Sequence, residues 1–390
     1  MERLDELLRR GDRGPRVAAV REQLAAVGLD CAAAPGEDPG LFDARLERAV
    51  RGFQQQRGLT SDGVVGAETS RALDAARWRL GDRILRYTPG HLVHGDDVTA
   101  LQERLSSLGL LDDRVDGVLG PATERALREL QRGLGLTPDG TCGPATLRAL
   151  QRLQRTVRGG DVGALRDTER VRRSGSSLVG RVVVVDPGHG GDDPGAVGHG
   201  LREADVVLDL AVRLEGRLAA SGVTAVLTRG AGQNPSSGDR ARLADDVRAD
   251  LFVSLHCDAA TGTAGQGVAT SYWGDPRVGT RSPVGARLAD LVQRELVART
   301  DLVDCRTHAR TWDLLRLTRM PAVRVELGYL TDPGDARRLA DPAFRDTCAE
   351  ALLVAVQRLF LPEDEDPATG TLRVDDVLAR VRAADGREPA

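Results

Sequence analysis

The chain has 390 residues, of which 41% are hydrophobic and 29% are charged, and its formal net charge is −4. This composition is that of soluble globular domains, so it excludes a disordered chain or a membrane-embedded bundle. The basic residues are all arginines spread along the chain, without the clustered patch of a nucleic-acid groove. At about 150 residues per domain, the length predicts two or three domains.

The N-terminal residues 1–6 lack a basic segment followed by an apolar run and a small-residue cleavage site. No apolar stretch approaches the roughly 18 residues that cross a bilayer. Five scattered cysteines form no CxxC pair, which favours reduced core residues: Cys31, Cys142, Cys257, Cys305 and Cys348. We therefore expect a cytoplasmic protein without a transmembrane segment.

An internal repeat occupies the first 155 residues. Residues 17–29 match 98–110, and residues 53–73 match 130–150. Apolar residues at three- and four-residue spacing predict three helices in each copy. The sequence therefore predicts two small all-α three-helix domains, over 1–79 and 80–155.

The repeated pattern Phe/Leu-Gln, Gly-Leu, Asp-Gly-x-x-Gly and Thr is similar to the small three-helix peptidoglycan-binding domain, present twice. The resemblance implies binding of peptidoglycan or its precursors, with any groove near the turns Asp62-Gly63 and Asp139-Gly140. The alternative is a pair of helical bundles with no ligand, because a fold does not by itself imply a function.

Residues 156–179 are rich in Arg, Gly and Ser and predict a linker. From 180 to 361, short apolar strands alternate with helical stretches. Strands are expected near 182–185, 224–228, 251–256, 267–272 and 321–326, and helices near 204–220, 238–248, 283–299 and 343–360. This order predicts an α/β domain with a mixed, largely parallel sheet flanked by helices, and ligands beyond the carboxyl ends of its strands.

Four acidic or histidine side chains stand beside those strand ends. His189 follows the first strand in Asp-Pro-Gly-His-Gly-Gly, and Glu203 opens the next helix. His256 and Glu326 each end a strand. Two imidazoles and one carboxylate are the ligand set of a catalytic zinc ion, and a second carboxylate then moves the proton from water to the leaving group. The pattern predicts His189, Glu203 and His256 as metal ligands and Glu326 as the acid/base.

Taken singly, a histidine after a strand is more often a structural cap, and a glutamate at a helix start usually complements the helix dipole. The four motifs in order, with Ser-x-His and Val-Glu-x-Gly-Tyr-Leu, resemble the zinc-dependent N-acetylmuramoyl-L-alanine amidase family. The resemblance implies one zinc ion and hydrolysis of the amide between N-acetylmuramic acid and L-Ala.

Two kinds of departure separate this chain from the family pattern. Asp245, Asp258 and Asp332 stand where the family usually has Asn, and Asp258 adds negative charge close to the metal. Arg324 stands where the family usually has an aliphatic residue, on the same strand face as Glu326. A pair between them would keep Glu326 ionised and weaken it as a base, but we expect Arg324 to reach solvent or another partner.

The tail, 362–390, is acidic at its start and predicts one short helix near Val374. The overall plan resembles the actinobacterial CwlM-like proteins, which implies a second function. In it the chain is a weakly active or inactive cytoplasmic regulator that stimulates the UDP-N-acetylglucosamine enolpyruvyl transferase, under control of a Ser/Thr kinase. Thr369 and Thr371 are the candidate phosphorylation sites, on a tail expected to be exposed. The alternative is an ordinary disordered C-terminus.

Overall fold

A computed structural model describes residues 7–33, 36–153, 168–169, 171, 175–260, 265–275, 280–362 and 365–384. The chain divides into two compact units. The first comprises residues 1–166 with 275–280, and the second comprises the rest. Most of the predicted linker, 156–179, lies outside the described residues.

The described part of the first unit contains two sets of three helices, as the repeat predicts. The helices are α1 (Pro15–Ala26), α2 (Ala44–Arg57), α3 (Ala67–Ala76), α4 (Asp96–Ser107), α5 (Pro121–Gly133) and α6 (Pro144–Leu153). Proline at the first turn favours the start of α1 and α5, and Asp43 caps α2 by accepting from the Leu46 N–H. Each set buries its own apolar core. Short strands also occur in this unit, at β1 (Leu85–Arg86), β2 (Val93–His94), β3 (Val118–Leu119) and β4 (Thr141–Cys142).

A hydrogen-bonded glutamine holds the turn before α6. Nε2 of Gln131, which is 2% exposed, lies 2.8 Å from Oδ1 of Asp139 and 3.1 Å from Oγ1 of Thr146. Its Oε1 accepts from the Gly140 N–H at 2.9 Å, and Gly140 has a φ of 72° that favours glycine. The same arrangement recurs at Gln54, Asp62, Gly63 and Thr69, and at Gln102, Asp116, Gly117 and Thr123. The structure therefore contains a shorter repeated unit than the two sequence copies, because the same turn motif occurs three times in the described residues.

The first copy lacks this glutamine motif at its first turn, where an arginine takes the place of the glutamine. Arg21 stands at the position that corresponds to Gln102. Its guanidinium donates to the Leu41 carbonyl at 2.7 Å and to Asp43 at 2.8 Å, and it also contacts the carbonyl of Cys31. An arginine reaches farther than a glutamine, which accommodates the longer loop of this copy.

The second unit is built on a seven-stranded sheet. Its strands are β5 (Val182–Pro187), β8 (Thr224–Leu227), β9 (Leu251–Asp258), β10 (Val268–Asp275), β11 (Thr280–Arg281), β12 (Asp304–Arg310) and β13 (Ala322–Tyr329). The order is β11-β10-β13-β9-β5-β8, with β12 pairing β10. The β13–β9, β9–β5, β5–β8 and β10–β12 pairs are parallel, and β10–β13 is antiparallel. The predicted mixed, largely parallel sheet is confirmed.

Helices cover the sheet. They are α7 (Glu203–Ala220), α8 (Ser237–Asp246), α9 (Pro283–Arg299), α10 (Asp313–Leu317), α11 (Pro333–Ala340) and α12 (Pro342–Phe360). The apolar helix α12 packs against both α7 and α9, which explains why nearly all of its second half is buried. A small hairpin, β6 (Val197–Gly198) and β7 (Leu201–Arg202), precedes α7. The sequence did not predict β12, α10 or α11.

The described tail packs on the second unit and ends in α13 (Val374–Ala384). Leu372 and Val377 are buried in the same core as the sheet, and the Gly370 N–H donates to Glu295 at 3.1 Å. The predicted short helix is present. Thr371 is exposed as expected, whereas Thr369 is half-buried and its hydroxyl accepts from Arg294 at 2.7 Å.

Among the described residues, no helix combines the length and the apolar character that crossing a bilayer requires. All five cysteines are free, and four of them are buried as predicted, Cys305 being the partly exposed one.

Candidate active site

Three potential metal ligands meet at the carboxyl ends of β5 and β9. His189 follows β5, Glu203 is the first residue of α7, and His256 lies near the end of β9. β5 and β9 are parallel neighbours, so their carboxyl ends lie side by side. Gly188 makes the close approach possible, because a Cβ there would lie 2.1 Å from Cε1 of His256.

The Glu203 carboxylate lies between the two imidazoles. Its Oε1 is 2.8 Å from Nδ1 of His256, and its Oε2 is 3.3 Å from Nε2 of His189. One potential ligand atom from each of the three residues lies within 4.8 Å of the others. Within the described residues, no other group of three or more His, Cys, Asp or Glu side chains is arranged to hold a metal ion. Glu203 and His256 are buried, while the His189 side chain is 29% exposed. Two nitrogens and one oxygen facing a common point fit zinc, which takes three protein ligands at catalytic sites.

Burial and charge act in opposite directions on these groups. Burial alone raises the pKa of Glu203, but hydrogen bonds and charge from His189 and His256 outweigh it, and the pKa falls far below its ordinary range. Burial lowers the pKa of His189, and the carboxylates of Glu203 and Asp193 reverse that effect, so its net pKa is raised. His256 is buried more deeply and lies near Arg324, so its pKa is lowered despite Glu203. A neutral imidazole at His256 is the form that binds a metal.

The His189 loop is held in a conformation that its sequence alone would not favour. The φ of His189 is 56°, in the left-handed region. Arg240 donates to the His189 carbonyl at 2.9 Å, and Arg229 donates to the Gly188 carbonyl at 2.8 Å. Arg240 also pairs with the fully buried Asp186 at 2.6 Å. Two buried arginines therefore hold the loop that presents the first imidazole.

Asp193 orients that imidazole. Its Oδ2 lies 2.7 Å from Nδ1 of His189, which leaves Nε2 facing Glu203. Such carboxylate–histidine contacts set the tautomer and ring orientation of a metal ligand. Neither Asp193 nor Arg240 is predicted from the sequence to take part in the site. The position of Asp193, four residues after His189, is the signal that could have revealed it, whereas no local signal points to Arg240.

Glu326 lies beside the three-residue group. It pairs with His256 in the parallel β13–β9 register, and it is 7% exposed. Its Oε2 is buried and has no hydrogen-bond partner among the described residues. Glu326 is therefore placed next to the candidate metal ligands without belonging to their set.

Arg324 contacts Glu326 directly. Its Nε donates to Oε1 of Glu326 at 2.6 Å, so the expectation that Arg324 reaches solvent or another partner instead is wrong. The physical reason is a cation–π contact: Cζ of Arg324 lies 4.4 Å from the centre of the Trp312 ring, and this contact helps to hold the guanidinium where it reaches Glu326.

The three aspartates that depart from the family pattern have different surroundings. Asp332 caps α11 by accepting from the Gly334 and Asp335 N–H groups, and Asp245 lies 3.6 Å from Arg319. Asp258 ends β9, where burial and the charge of Glu326 raise its pKa. Among the described residues, Asp258 does not belong to the group of potential ligand atoms, and its charge near the candidate metal site stays a prediction.

Comparisons with known families match both units. A profile described as N-acetylmuramoyl-L-alanine amidase matches residues 183–358. A profile described as a putative peptidoglycan binding domain matches residues 13–73 and 94–150.

Individual relatives give the same result. The N-acetylmuramoyl-L-alanine amidase CwlM of Mycobacterium tuberculosis is 47% identical over 384 residues, which cover 96% of this chain and 94% of that protein. The amidase LytC of Bacillus subtilis is 33% identical over 175 residues, 45% of this chain and 34% of its own length. Among solved structures, the amidase AmiC2 of Nostoc punctiforme is 34% identical, with a TM-score of 0.42, covering 47% of this chain and 97% of that one.

Proposed function

The chain belongs to the N-acetylmuramoyl-L-alanine amidase family, and from that premise we propose that it is a zinc-dependent hydrolase. Its substrate is the amide between the lactyl group of N-acetylmuramic acid and L-Ala in peptidoglycan or its precursors. The observation that carries the proposal is the group His189, Glu203 and His256, with one potential ligand atom from each within 4.8 Å of the others.

In this proposal His189, Glu203 and His256 hold one zinc ion. Zinc supplies Lewis acidity, which polarises the scissile carbonyl and lowers the pKa of water. Asp193 orients His189, and Arg229 and Arg240 hold its loop. The site is therefore arranged before substrate arrives.

Glu326 is the acid/base. Water adds to the amide carbon, Glu326 accepts the proton, and the same proton passes to the L-Ala nitrogen as the C–N bond breaks. The products are a muramic acid carboxylate and a free amine. Oε2 of Glu326 supports this role, because it is a buried carboxylate oxygen that accepts no hydrogen bond from the described residues.

The two three-helix repeats hold peptidoglycan in this proposal, as the family description of their match suggests. Their buried glutamines are used within the turn motifs, so ligand contacts come from exposed residues around those turns. Retention of the fragment 1–155 on insoluble peptidoglycan, with no retention of a fragment that starts at 175, tests this part.

Hydrolysis is tested with purified, zinc-loaded protein and soluble muropeptides, by quantifying newly freed L-Ala amines. Glu326→Gln keeps the shape of the side chain and removes its basicity, so we expect activity in the wild type and none above background in that variant. Equal background rates in both proteins would overturn the enzymatic proposal.

A second candidate function is a cytoplasmic regulator with weak or absent hydrolysis, which stimulates the enolpyruvyl transferase under control of tail phosphorylation. The Arg324–Glu326 ion pair favours it, because the guanidinium occupies one oxygen of the proposed acid/base and competes with water for it. The contact between Arg294 and Thr369 adds a cation where a phosphate would carry nearly two negative charges. Stimulation of the purified transferase by the Glu326→Gln variant, at the wild-type level, is the expected result under this function.

A further inference from the structure

The three candidate metal ligands form three pairs, and main-chain hydrogen bonds hold two of these pairs together. His189 follows β5 and His256 lies in β9, and these two strands are hydrogen-bonded neighbours in the sheet. His256 and Glu203 are joined by the Cys257 N–H, which donates to Oε1 of Glu203 at 3.0 Å. The third pair, His189 and Glu203, belongs to a loop and a helix, so another contact has to hold it.

Arg229 joins this third pair. It lies just after β8, and it is only 3% exposed. Its Nη2 donates to the Gly188 carbonyl at 2.8 Å and to the Ala204 carbonyl at 2.9 Å. Gly188 directly precedes His189, and Ala204 directly follows Glu203. One guanidinium nitrogen therefore connects the loop of one candidate ligand to the helix of another.

The other contacts of Arg229 fix its guanidinium in this position. Nε donates to the Pro187 carbonyl at 2.8 Å, and Nη1 donates to the Gly230 carbonyl at 3.1 Å. The loop also packs tightly on the side chain, because a Cβ at Gly190 would lie 2.8 Å from Cδ and Nε of Arg229. Since a guanidinium holds its N–H groups in a rigid fork, these contacts also set the direction of Nη2.

We infer that Arg229 is a positioning residue of the zinc site, which sets the spacing between the His189 imidazole and the Glu203 carboxylate. This inference rests on the proposed function, in which these two residues hold the ion. Arg229 acts through the two backbone carbonyls beside the ligands. Ligands that are held at their binding positions bind a metal ion more tightly than ligands that must first be brought together. The zinc affinity therefore depends on Arg229.

The sign of this dependence separates positioning from a purely electrostatic effect. Arg229 is a buried cation beside the site, and a cation repels a divalent metal ion. If its charge were the main effect, an uncharged residue in its place would tighten zinc binding. Positioning predicts the opposite sign, because without the guanidinium the His189 loop and α7 are no longer tied to each other.

The test measures the zinc affinity of the full chain, by competition with a chelator of known affinity, in the wild type, Arg229→Met, Arg229→Lys and Arg181→Met. Arg181 is the matched control, because it is 7% exposed and also donates to backbone carbonyls, those of Ser177 and Gly175. It precedes β5, so it lies at the opposite end of that strand from His189. Denaturant unfolding of each variant gives its folded fraction under the conditions of the titration.

We expect Arg229→Met to lower the zinc affinity roughly 10- to 100-fold, the range for residues that orient metal ligands. Arg181→Met also leaves buried carbonyls without a donor, but its zinc affinity should stay within about twofold of the wild type. Arg229→Lys keeps the charge and one donor nitrogen, so its affinity should fall between these two, and it carries the comparison if Arg229→Met does not fold. Unchanged or tighter zinc binding in whichever Arg229 variants fold, or an equal loss in Arg181→Met, overturns the inference.

Removal of single ligands tests which pair Arg229 acts on. His189→Ala leaves no such pair, so adding Arg229→Met to it should change the zinc affinity by less than about twofold. In His256→Ala the pair remains, and the same addition should still weaken binding by roughly tenfold. Equal losses in the two backgrounds overturn the inference.

These measurements do not depend on hydrolysis, so the two proposals fail separately. If the wild type binds zinc but cleaves no muropeptide, the hydrolase proposal alone fails, and the affinities still decide the role of Arg229. If the wild type binds no zinc, both proposals are overturned.

Discussion

Buried polar side chains act differently in the repeats and in the amidase domain. In the repeats, Gln54, Gln102 and Gln131 each hold one Asp-Gly turn with both ends of the amide engaged. In the amidase domain, Glu203 lies between two imidazoles and Glu326 keeps a buried oxygen without a partner among the described residues. The first arrangement stabilises the turns of the repeats, whereas the second leaves polar atoms that a metal ion or a substrate can contact. A buried polar residue that recurs in a repeat therefore does not by itself indicate an active site. A buried polar atom at a strand end that lacks a hydrogen-bond partner is a better indication of one.

The largest effect is expected at the candidate metal ligands. Glu203→Ala removes the carboxylate between the two histidines, so we expect loss of bound zinc and amidase activity below about a thousandth of the wild type. Zinc content after dialysis and muropeptide hydrolysis measure the two effects. Glu215→Ala, in the same helix and only half-buried, is the matched control. A variant that keeps full zinc occupancy would remove Glu203 from the ligand set.

A smaller but still large loss is expected when the buried ion pair behind His189 is broken. Asp186→Asn leaves Arg240 without its carboxylate, which lowers the free energy of unfolding by about 3 kcal/mol. Burial raises the pKa of Asp186, but Arg240, Thr228 and Ser254 outweigh it and the net pKa is lowered.

The sign of the pH dependence follows. The stability from Asp186 is fully present above the pKa of the unfolded chain, about 4, and is lost as pH falls toward the lower pKa of the folded state. Urea unfolding from pH 7 to pH 3 should show a shallower acid loss in Asp186→Asn than in the exposed control Asp205→Asn. Identical slopes in the two variants would contradict this assignment.

Two neighbouring glutamines in α2 allow a direct comparison between a buried and an exposed side chain of the same type. Gln54 is buried and holds the Gly63 turn, whereas Gln55 is exposed. We expect Gln54→Ala to lower the free energy of unfolding of the first unit by about 2 kcal/mol, and Gln55→Ala to change it by less than about 0.5 kcal/mol. Denaturant unfolding of the fragment 1–155 measures both. In the full chain, neither variant should alter zinc affinity, and a change in that affinity would contradict the separation between the repeats and the candidate site.

An effect of similar size is expected at the residue that orients His189. Asp193→Ala frees the imidazole, and we expect zinc affinity to fall roughly 10- to 100-fold. Competition with a chelator of known affinity measures it, with the exposed neighbour Asp192→Ala as the control. An unchanged zinc affinity would mean that packing alone orients His189.

Local sequence determined most of the architecture. Apolar residues at three- and four-residue spacing predict the helices, and short apolar runs predict the strands, because apolar side chains must face a core. The Asp-Gly turns predict the repeated connections. The candidate ligands were predictable because parallel strands bring their carboxyl ends to one edge. The repeat's finer period was visible only after Gln102 and Arg21 were seen to hold corresponding turns.

Tertiary structure decided what those residues meet. Arg324 pairs with Glu326 while its guanidinium also contacts the ring of Trp312, which lies outside its strand. Arg240 holds the His189 loop from 51 residues away, and the tail buries Leu372 and Val377 in the core of the amidase domain. Sequence spacing reports which face of an element a side chain occupies, but not which distant group lies opposite that face. The three candidate metal ligands of this amidase-family chain were therefore predictable from its sequence, while the partner of Glu326, the proposed acid/base, depended on the assembled fold.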